Sequence, residues 1–221
     1  MQILSDTQAG YSKAADIWRN GGLVAFPTET VYGLGADASN DRAVARIYEA
    51  KGRPSFNPLI VHFANIEAVK DHVHWSPAAE RLADAFWPGP LTLVLPKKAD
   101  SPISRLVTAG LETLAVRMPA HDTARALLAT YGGPIAAPSA NRSGQISPTL
   151  AEHVKDGLEG RIEAVVDGGR CEVGLESTIV GLSDHPVSLR PGGITQEQLE
   201  TCLERPIAVR KMPKPFPHRV R

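Results

Sequence analysis

Short unbroken apolar runs alternate along this chain with stretches in which apolar positions recur at a helical period. Runs such as Leu23-Val24-Ala25-Phe26 read as buried strands, and periodic stretches flanked by capping residues read as helices. The pattern predicts a helix over about Thr7–Arg19, stopped by Asn20-Gly21, and then strand Leu23–Phe26. Asn40-Asp41 caps a helix to Ala50 with Gly52 behind it, and Pro58–Phe63 follows as a strand. Asn65 opens a short helix, and Ser76-Pro77 opens another with proline at its first position. Beyond the rigid turn Trp87-Pro88-Gly89-Pro90 come strands Leu91–Leu95 and Thr113–Arg117. Asp122 caps a helix to about Tyr131, Pro134–Ala137 is a short buried strand, and Ser147-Pro148 starts a helix to about Leu158. Strands Ile162–Val166, Ser177–Leu182 and Pro186–Arg190 then gather ahead of a last helix, Thr195–Leu203. Interleaving early and clustered strands late predict an α/β (α+β) fold. Its single domain has a twisted mixed parallel/antiparallel sheet flanked by helices.

Composition narrows the class. The 221 residues suffice for one well-buried core. The formal net charge is zero, so no global field draws the chain to nucleic acid or to a membrane, and any polyanion site must be a local cluster. No apolar stretch is long enough to span a bilayer, and Met1–Asp6 lacks the charged and apolar regions of a signal peptide. Cys171 and Cys202 lie far apart without metal spacing and read as free thiols of a reducing cytoplasm. Residues 205–221, rich in proline and cations (Arg210, Lys211, Lys214, Arg219, Arg221), read as a tail or truncated linker behind a domain spanning 1–204.

Candidate chemistry sits where apolar runs begin or end. Pro27 stops a buried strand, and Thr28, Glu29 and Thr30 follow it ahead of Gly33 and Gly35. Lys51 and Arg53 flank Gly52, and Pro54 fixes the backbone beyond, so Arg53 offers a constrained planar fork for phosphate oxygens. Lys51 alone suits a solvated helix end. Alternation places His62 on one face with Ile60, where a core histidine is the plain explanation. Arg117 closes an apolar strand and must reach water or pair with an anion. Ser139 and Asn141, Ser147, Ser177 and Arg190 recur at further strand ends, and such ends on one side of a sheet build a polar crevice. His72, His74, His121, His153, His185 and His218 show no ligand spacing and read as surface. Walker A and nucleophile-elbow patterns are missing, and Gly33–Ala38 lies too far from its strand for a dinucleotide fingerprint.

Eight motifs in order then resemble one family. Pro27–Gly35 (P-T-E-T-V-Y-G-L-G), Lys51–Pro54 (K-x-R-P), Asn57–His62 (N-P-L-I-V-H), Trp87–Thr92 (W-P-G-P-L-T), Val116–Pro119 (V-R-M-P), Ala137–Asn141 (A-P-S-A-N), Glu176–Val180 (E-S-T-I-V) and Leu189–Gly192 (L-R-P-G) together look like the YrdC-type threonylcarbamoyl-AMP synthases. The resemblance covers roughly Gly21 to Leu203. It implies a YrdC-like (dsRBD-like) fold with a large, positively lined cavity. It also implies that L-threonine, bicarbonate and ATP, with Mg2+, give threonylcarbamoyl-adenylate and pyrophosphate for tRNA modification. A downstream threonylcarbamoyl-transferase complex would take the product, with a possible tRNA contact on this chain.

Carried over by motif, Thr30, His62, Arg117, Ala137 and Ser177 would hold threonine, with Arg117 on its carboxylate. Lys51 and Arg53 would be the catalytic cations facing the phosphates. Arg53, Asn57, Thr113, Ser139, Asn141, Ser147 and Arg190 would surround ATP. Longer members carry a second domain behind a linker whose tyrosine-containing motif is not recognisable before Arg221. A non-catalytic RNA-binding translation or ribosome-maturation factor on the same fold is the alternative. Related domains that adenylate carbamoyl phosphate in hydrogenase maturation are a third reading.

Overall fold

The computed structural model describes residues 1–209, and its strands join in one twisted mixed sheet. The elements run β1 (Gln2–Ser5), α1 (Gln8–Arg19), β2 (Val24–Phe26), β3 (Gly33–Asp37), α2 (Asp41–Lys51), β4 (Ile60–His62), α3 (Ile66–Lys70) and α4 (Pro77–Phe86). They continue with β5 (Leu91–Pro96), β6 (Thr113–Arg117), α5 (Asp122–Tyr131), β7 (Ile135–Ala136), α6 (Ala151–Leu158), β8 (Ala164–Asp167), β9 (Thr178–Gly181), β10 (Val187–Arg190), α7 (Gln196–Leu203) and β11 (Ala208–Val209). The strand order is β1-β8-β2-β3-β7-β4-β6-β5-β9-β10-β11. Parallel pairs such as β4/β6 and β5/β9 adjoin antiparallel ones such as β5/β6 and β3/β7.

Both faces of the sheet are covered, and strand alternation decides which residues go where. Along β2, Val24 and Phe26 join a smaller apolar cluster built with Trp18 of α1 and Leu127 and Leu128 of α5. Leu23 and Ala25 point the other way into the main core, where Ile47 of α2, Leu82 of α4, Val154 of α6 and Leu199 of α7 pack. Thr7, Asn40, Asn65, Ser76 and Thr195 cap their helices with side-chain oxygens, and Thr195 forms a full capping box with Gln198.

Five local expectations change. The stretch Gly33–Asp37, to which the pattern assigns no element, is the strand β3. Its glycines lower strand propensity, yet packing requires one of them: a Cβ on Gly35 would stand 2.7 Å from Trp18 and 2.9 Å from Phe26. Residues Gln2–Ser5 form an edge strand although only Leu4 is buried there. The helix expected from Ser147-Pro148 begins at Ala151, and the Pro148 carbonyl accepts the Tyr32 N–H at 2.8 Å instead of a helical one. Asp122 is the first helical residue of α5, and the cap is His121, which makes no side-chain cap bond. Within the stretch read as a tail, Ala208–Val209 pair in parallel with β10. The other tail cations and His218 lie outside the described residues.

Candidate active site

One margin of the sheet collects the chemistry-bearing strand ends. Strands β4 and β6 run parallel with His62 opposite Arg117, so the two side chains stand next to each other on one face. Strand β9 begins just after Ser177 and lies parallel to β5, and β10 ends at Arg190. Gly33 at the start of β3 bridges to Ser139 beyond β7. Between these ends lies a cavity of about 270 Å3. It is lined in part by Thr30, Arg53, His62, Arg117, Ser139, Ser177 and Arg190.

Behind one part of the cavity wall lies a buried ion pair. Arg117 is 4% exposed and its Nη2 donates to Glu29 Oε1 at 2.6 Å. Its Nη1 donates to Thr30 Oγ1 at 3.0 Å and its Nε to the Gly89 carbonyl at 3.2 Å. The turn carrying Glu29 is stiffened by the Thr28 hydroxyl, which donates to the Val31 carbonyl and accepts from the Thr30 and Val31 N–H groups. His62 packs edge-on against Phe26 at 6.1 Å, and its buried Nδ1 has no hydrogen-bond partner among the described residues. Burial first, and then the Arg117 charge, push its pKa down to about 3, so the imidazole is neutral at physiological pH. His62 is therefore a neutral, buried histidine that also lines the cavity.

The opposite wall is built on Ser177. Its hydroxyl lies 2.7 Å from that of Thr92 and accepts from Arg190 Nη2 at 3.0 Å, while Arg190 Nε donates to the Ser177 carbonyl. Arg190 Nη1 also pairs with Glu176, whose other oxygen accepts from Ser147 at 3.2 Å. Burial lowers the pKa of Arg190, and the adjacent Glu176 carboxylate opposes that. The backbone here leaves no space: a Cβ on Gly192 would stand 2.4 Å from Thr178 N and 2.6 Å from the Glu176 carbonyl. Gly192→Ala is expected to cost about 1–3 kcal/mol of stability through overpacking and to lower activity by displacing Ser177. Denaturation midpoints read the first effect, and a variant as stable as wild type contradicts the close approach.

The third wall comes from the end of α2. Gly52 caps that helix at φ 59°, a left-handed conformation open to glycine, and the chain then diverges. Arg53 reaches the cavity, making only long bonds to the Asn57 and Pro58 carbonyls at 3.5 and 3.3 Å. Lys51 turns inward and is 2% exposed, its ammonium donating to the Ser139 and Asn141 carbonyls. The Lys51 carbonyl in turn accepts from Ser143 N at 2.9 Å, so this one residue fastens the whole Ser139–Ser143 loop. The expectation of a solvated helix end is corrected, because the ammonium is buried against backbone oxygens.

Burial, and then the Arg53 charge, lower the Lys51 pKa from the usual 10.5 to about 8. The unfolded chain therefore holds more protons than the folded one between about pH 8 and pH 10.5, and the Lys51 contribution to stability rises across that window. Below about pH 8 the desolvation cost is fully present. In Lys51→Met the rise is expected to be missing from stability curves measured across that range. Equal slopes in the two proteins contradict the assignment.

Of the residues singled out in the sequence, the structure brings Thr30, Arg53, Asn57, His62, Arg117, Ala137, Ser139, Ser177 and Arg190 to the cavity wall. Lys51 and Asn141 stand behind the wall, joined to each other. Ser147 is one hydrogen bond away through Glu176. Thr113 sits at the start of β6, on the sheet face of Arg117 but four residues from it and off the wall. Thr28, Val31, Gly33, Pro58, Leu59, Ile60, Pro138, Glu176 and Ile179 also line the cavity and were not named as site residues. All lie inside the quoted motifs, and that membership is the available signal. Two histidines read as surface are half-buried: His72 stacks on Phe63 at 5.4 Å and bonds Ser101, and His121 Nδ1 is enclosed. Among the described residues no cluster of His, Cys, Asp and Glu could hold a metal ion, and both cysteines are unpaired.

A mixed sheet whose strand ends enclose three arginines and a set of hydroxyls defines an α/β protein fitted to a small anionic ligand. The chain belongs to the Sua5/YciO/YrdC family, whose model, described as "Telomere recombination", matches residues 16–192. It is 56% identical over 202 residues to a threonylcarbamoyl-AMP synthase of Bacillus subtilis, a match covering 90% of this chain and 58% of that protein. A threonylcarbamoyl-AMP synthase of Halorhodospira halophila is 42% identical over 70% of this chain and 81% of its own. The crystal structure of Pyrococcus abyssi Sua5 complexed with L-threonine superposes with a TM-score of 0.91 at 49% identity, covering 95% of this chain and 63% of that one. The chain thus spans little more than half the length of the first of these relatives. No helix among the described residues is long and apolar enough to cross a membrane.

Proposed function

We propose that residues 1–209, with β11 closing the sheet, belong to the catalytic domain of an L-threonylcarbamoyladenylate synthase. Its reaction joins L-threonine, bicarbonate and ATP into threonylcarbamoyl-AMP and releases pyrophosphate. The observation that carries this reading is the convergence of Arg53, Arg117 and Arg190 with Thr30, His62 and Ser177 on one cavity. Support comes from the relatives, which bear the synthase name, and from the threonine held by the P. abyssi protein.

The chemistry suits these walls. The threonine amine condenses with bicarbonate, losing water, to give a carbamate. A carbamate oxygen then attacks the α-phosphate and pyrophosphate leaves. Nucleophile and electrophile are both anionic, so the site must neutralise charge and hold the two in line. Arg117, with Thr30 beside it, takes the threonine carboxylate. The neutral His62 faces the amine or hydroxyl without repelling it. Arg53 and Arg190 flank the phosphates, and Asn57 and Ser139 border the nucleotide, with Thr113, Asn141 and Ser147 around it. Positioning of this kind can supply about 7–11 kcal/mol of a barrier, and a methyl pocket separates threonine from serine by about 1–3 kcal/mol.

A cavity of about 270 Å3 is small for both substrates, so the nucleoside extends beyond it past Asn57 and Ser139. Mg2+ arrives on the triphosphate as part of the substrate, since nucleotide-borne Mg2+ needs few protein ligands and Glu176, the carboxylate on the wall, is engaged by Arg190. The product passes to a threonylcarbamoyl-transferase complex that modifies tRNA, in the cytoplasm, where the two free thiols persist. The RNA-binding alternative draws no support from relatives named as synthases. The test is pyrophosphate release that requires both threonine and bicarbonate. Purified protein that binds ATP and threonine yet releases none overturns the reading.

A further inference from the structure

Glu29 is a buried carboxylate that the proposed reaction leaves without a task. It lies behind the cavity wall between Thr28 and Thr30, and its side chain is 10% exposed. One oxygen accepts from Arg117 Nη2 at 2.6 Å and the other from Ala120 N at 3.1 Å, just past the end of β6. Its backbone carbonyl accepts from Val173 N at 2.9 Å, and the next carbonyl, of Thr30, accepts from Gly174 N at 3.0 Å. One residue thereby ties together the turn after β2, the exit of β6 and the loop leading to Glu176.

The consequence falls on Arg117. A guanidinium carries five N–H donors. Gly89, Thr30 and Glu29 take one each, leaving one on each terminal nitrogen. Two such donors match the two oxygens of one carboxylate. The ion pair also cancels the arginine's charge in a buried place, so what the ligand meets is aimed hydrogen bonds more than a bare cation.

We propose that Glu29 is the positioning residue of the carboxylate seat, holding Arg117 so that its two remaining N–H groups face a ligand carboxylate. This rests on the synthase reading. The experiment compares L-threonine with L-threoninamide, which keeps the side chain and amine but lacks the carboxylate, in wild type, Glu29→Gln and Glu29→Asp. Affinities are read by calorimetry and threonine and ATP KM values by pyrophosphate release.

Wild type is expected to prefer threonine strongly. Glu29→Gln is expected to raise the threonine KM at least tenfold, leave the ATP KM within twofold and shrink the preference over the amide. Glu29→Asp, which keeps the charge on a shorter arm, is expected to fall between them. A general loss of structure would move both KM values and leave the ratio alone, and that result overturns the proposal. Wild-type selectivity in Glu29→Asp also overturns it, and this arm stands even where Glu29→Gln does not fold. Failure of the synthase reading shows separately, as wild type without threonine-dependent turnover.

Discussion

Arg117→Ala is expected to abolish threonine-dependent pyrophosphate release and to destabilise the fold as well. The sequence leaves open whether this strand-end arginine reaches water or pairs with an anion. Its burial and its bond to Glu29 decide for the pair, and truncation strands a carboxylate that is 10% exposed. Breaking a buried pair by removing one partner costs about 3–5 kcal/mol. For a domain of this size that corresponds to a fall of roughly 6–20 °C in melting temperature. The double variant Glu29→Ala/Arg117→Ala is expected to recover much of the stability and none of the activity. Melting curves and turnover of the four proteins complete the cycle. A double variant no more stable than Arg117→Ala contradicts the ion-pair account.

Arg53→Ala is expected to behave in the opposite way. Among the described cavity-lining arginines it alone has no carboxylate within ion-pair distance, since Arg117 is paired with Glu29 and Arg190 with Glu176. Burial lowers its pKa, and its hydrogen bonds are long, so folding gains little from its charge. Loss of one preorganised donor to a developing anion typically costs about 10²–10³ in rate. The expected result is a fall of that order in kcat/KM for ATP, with stability within about 0.5 kcal/mol of wild type. Steady-state kinetics beside a denaturant titration checks both halves. Wild-type kcat/KM in Arg53→Ala removes Arg53 from the phosphate site.

Much of the fold and of the wall was legible along the chain, for reasons specific to the residues. Strand β6 reads from its apolar alternation, and its terminal arginine stands out because a cation rarely closes such a run. Strand β3 does not read, because Gly33 and Gly35 look like loop until the neighbouring Trp18 and Phe26 are in place. Lys51 and Arg53, two positions apart, look alike in sequence; their opposite fates are decided by the left-handed Gly52 between them and by carbonyls 88 and 90 residues away. Glu29 is silent for the same reason, because its partner Arg117 is 88 residues distant and meets it only through the sheet. Local pattern reports on what a segment can do by itself, and these side chains have meaning only in company.

Strand order also sets a timetable for the nascent chain. Strand β1 pairs with β8, which emerges some 160 residues later, since Gln2 sits opposite Ala164. Strand β5 likewise waits for β9. Pairings between distant segments are slow to nucleate, because the intervening chain must be looped before any contact repays it. Strand β1 thus has no neighbour to pair with until β8 exists. The cavity wall likewise stays incomplete until Arg190 has joined Thr30, Arg53 and Arg117, so its chemistry depends on these distant pairings.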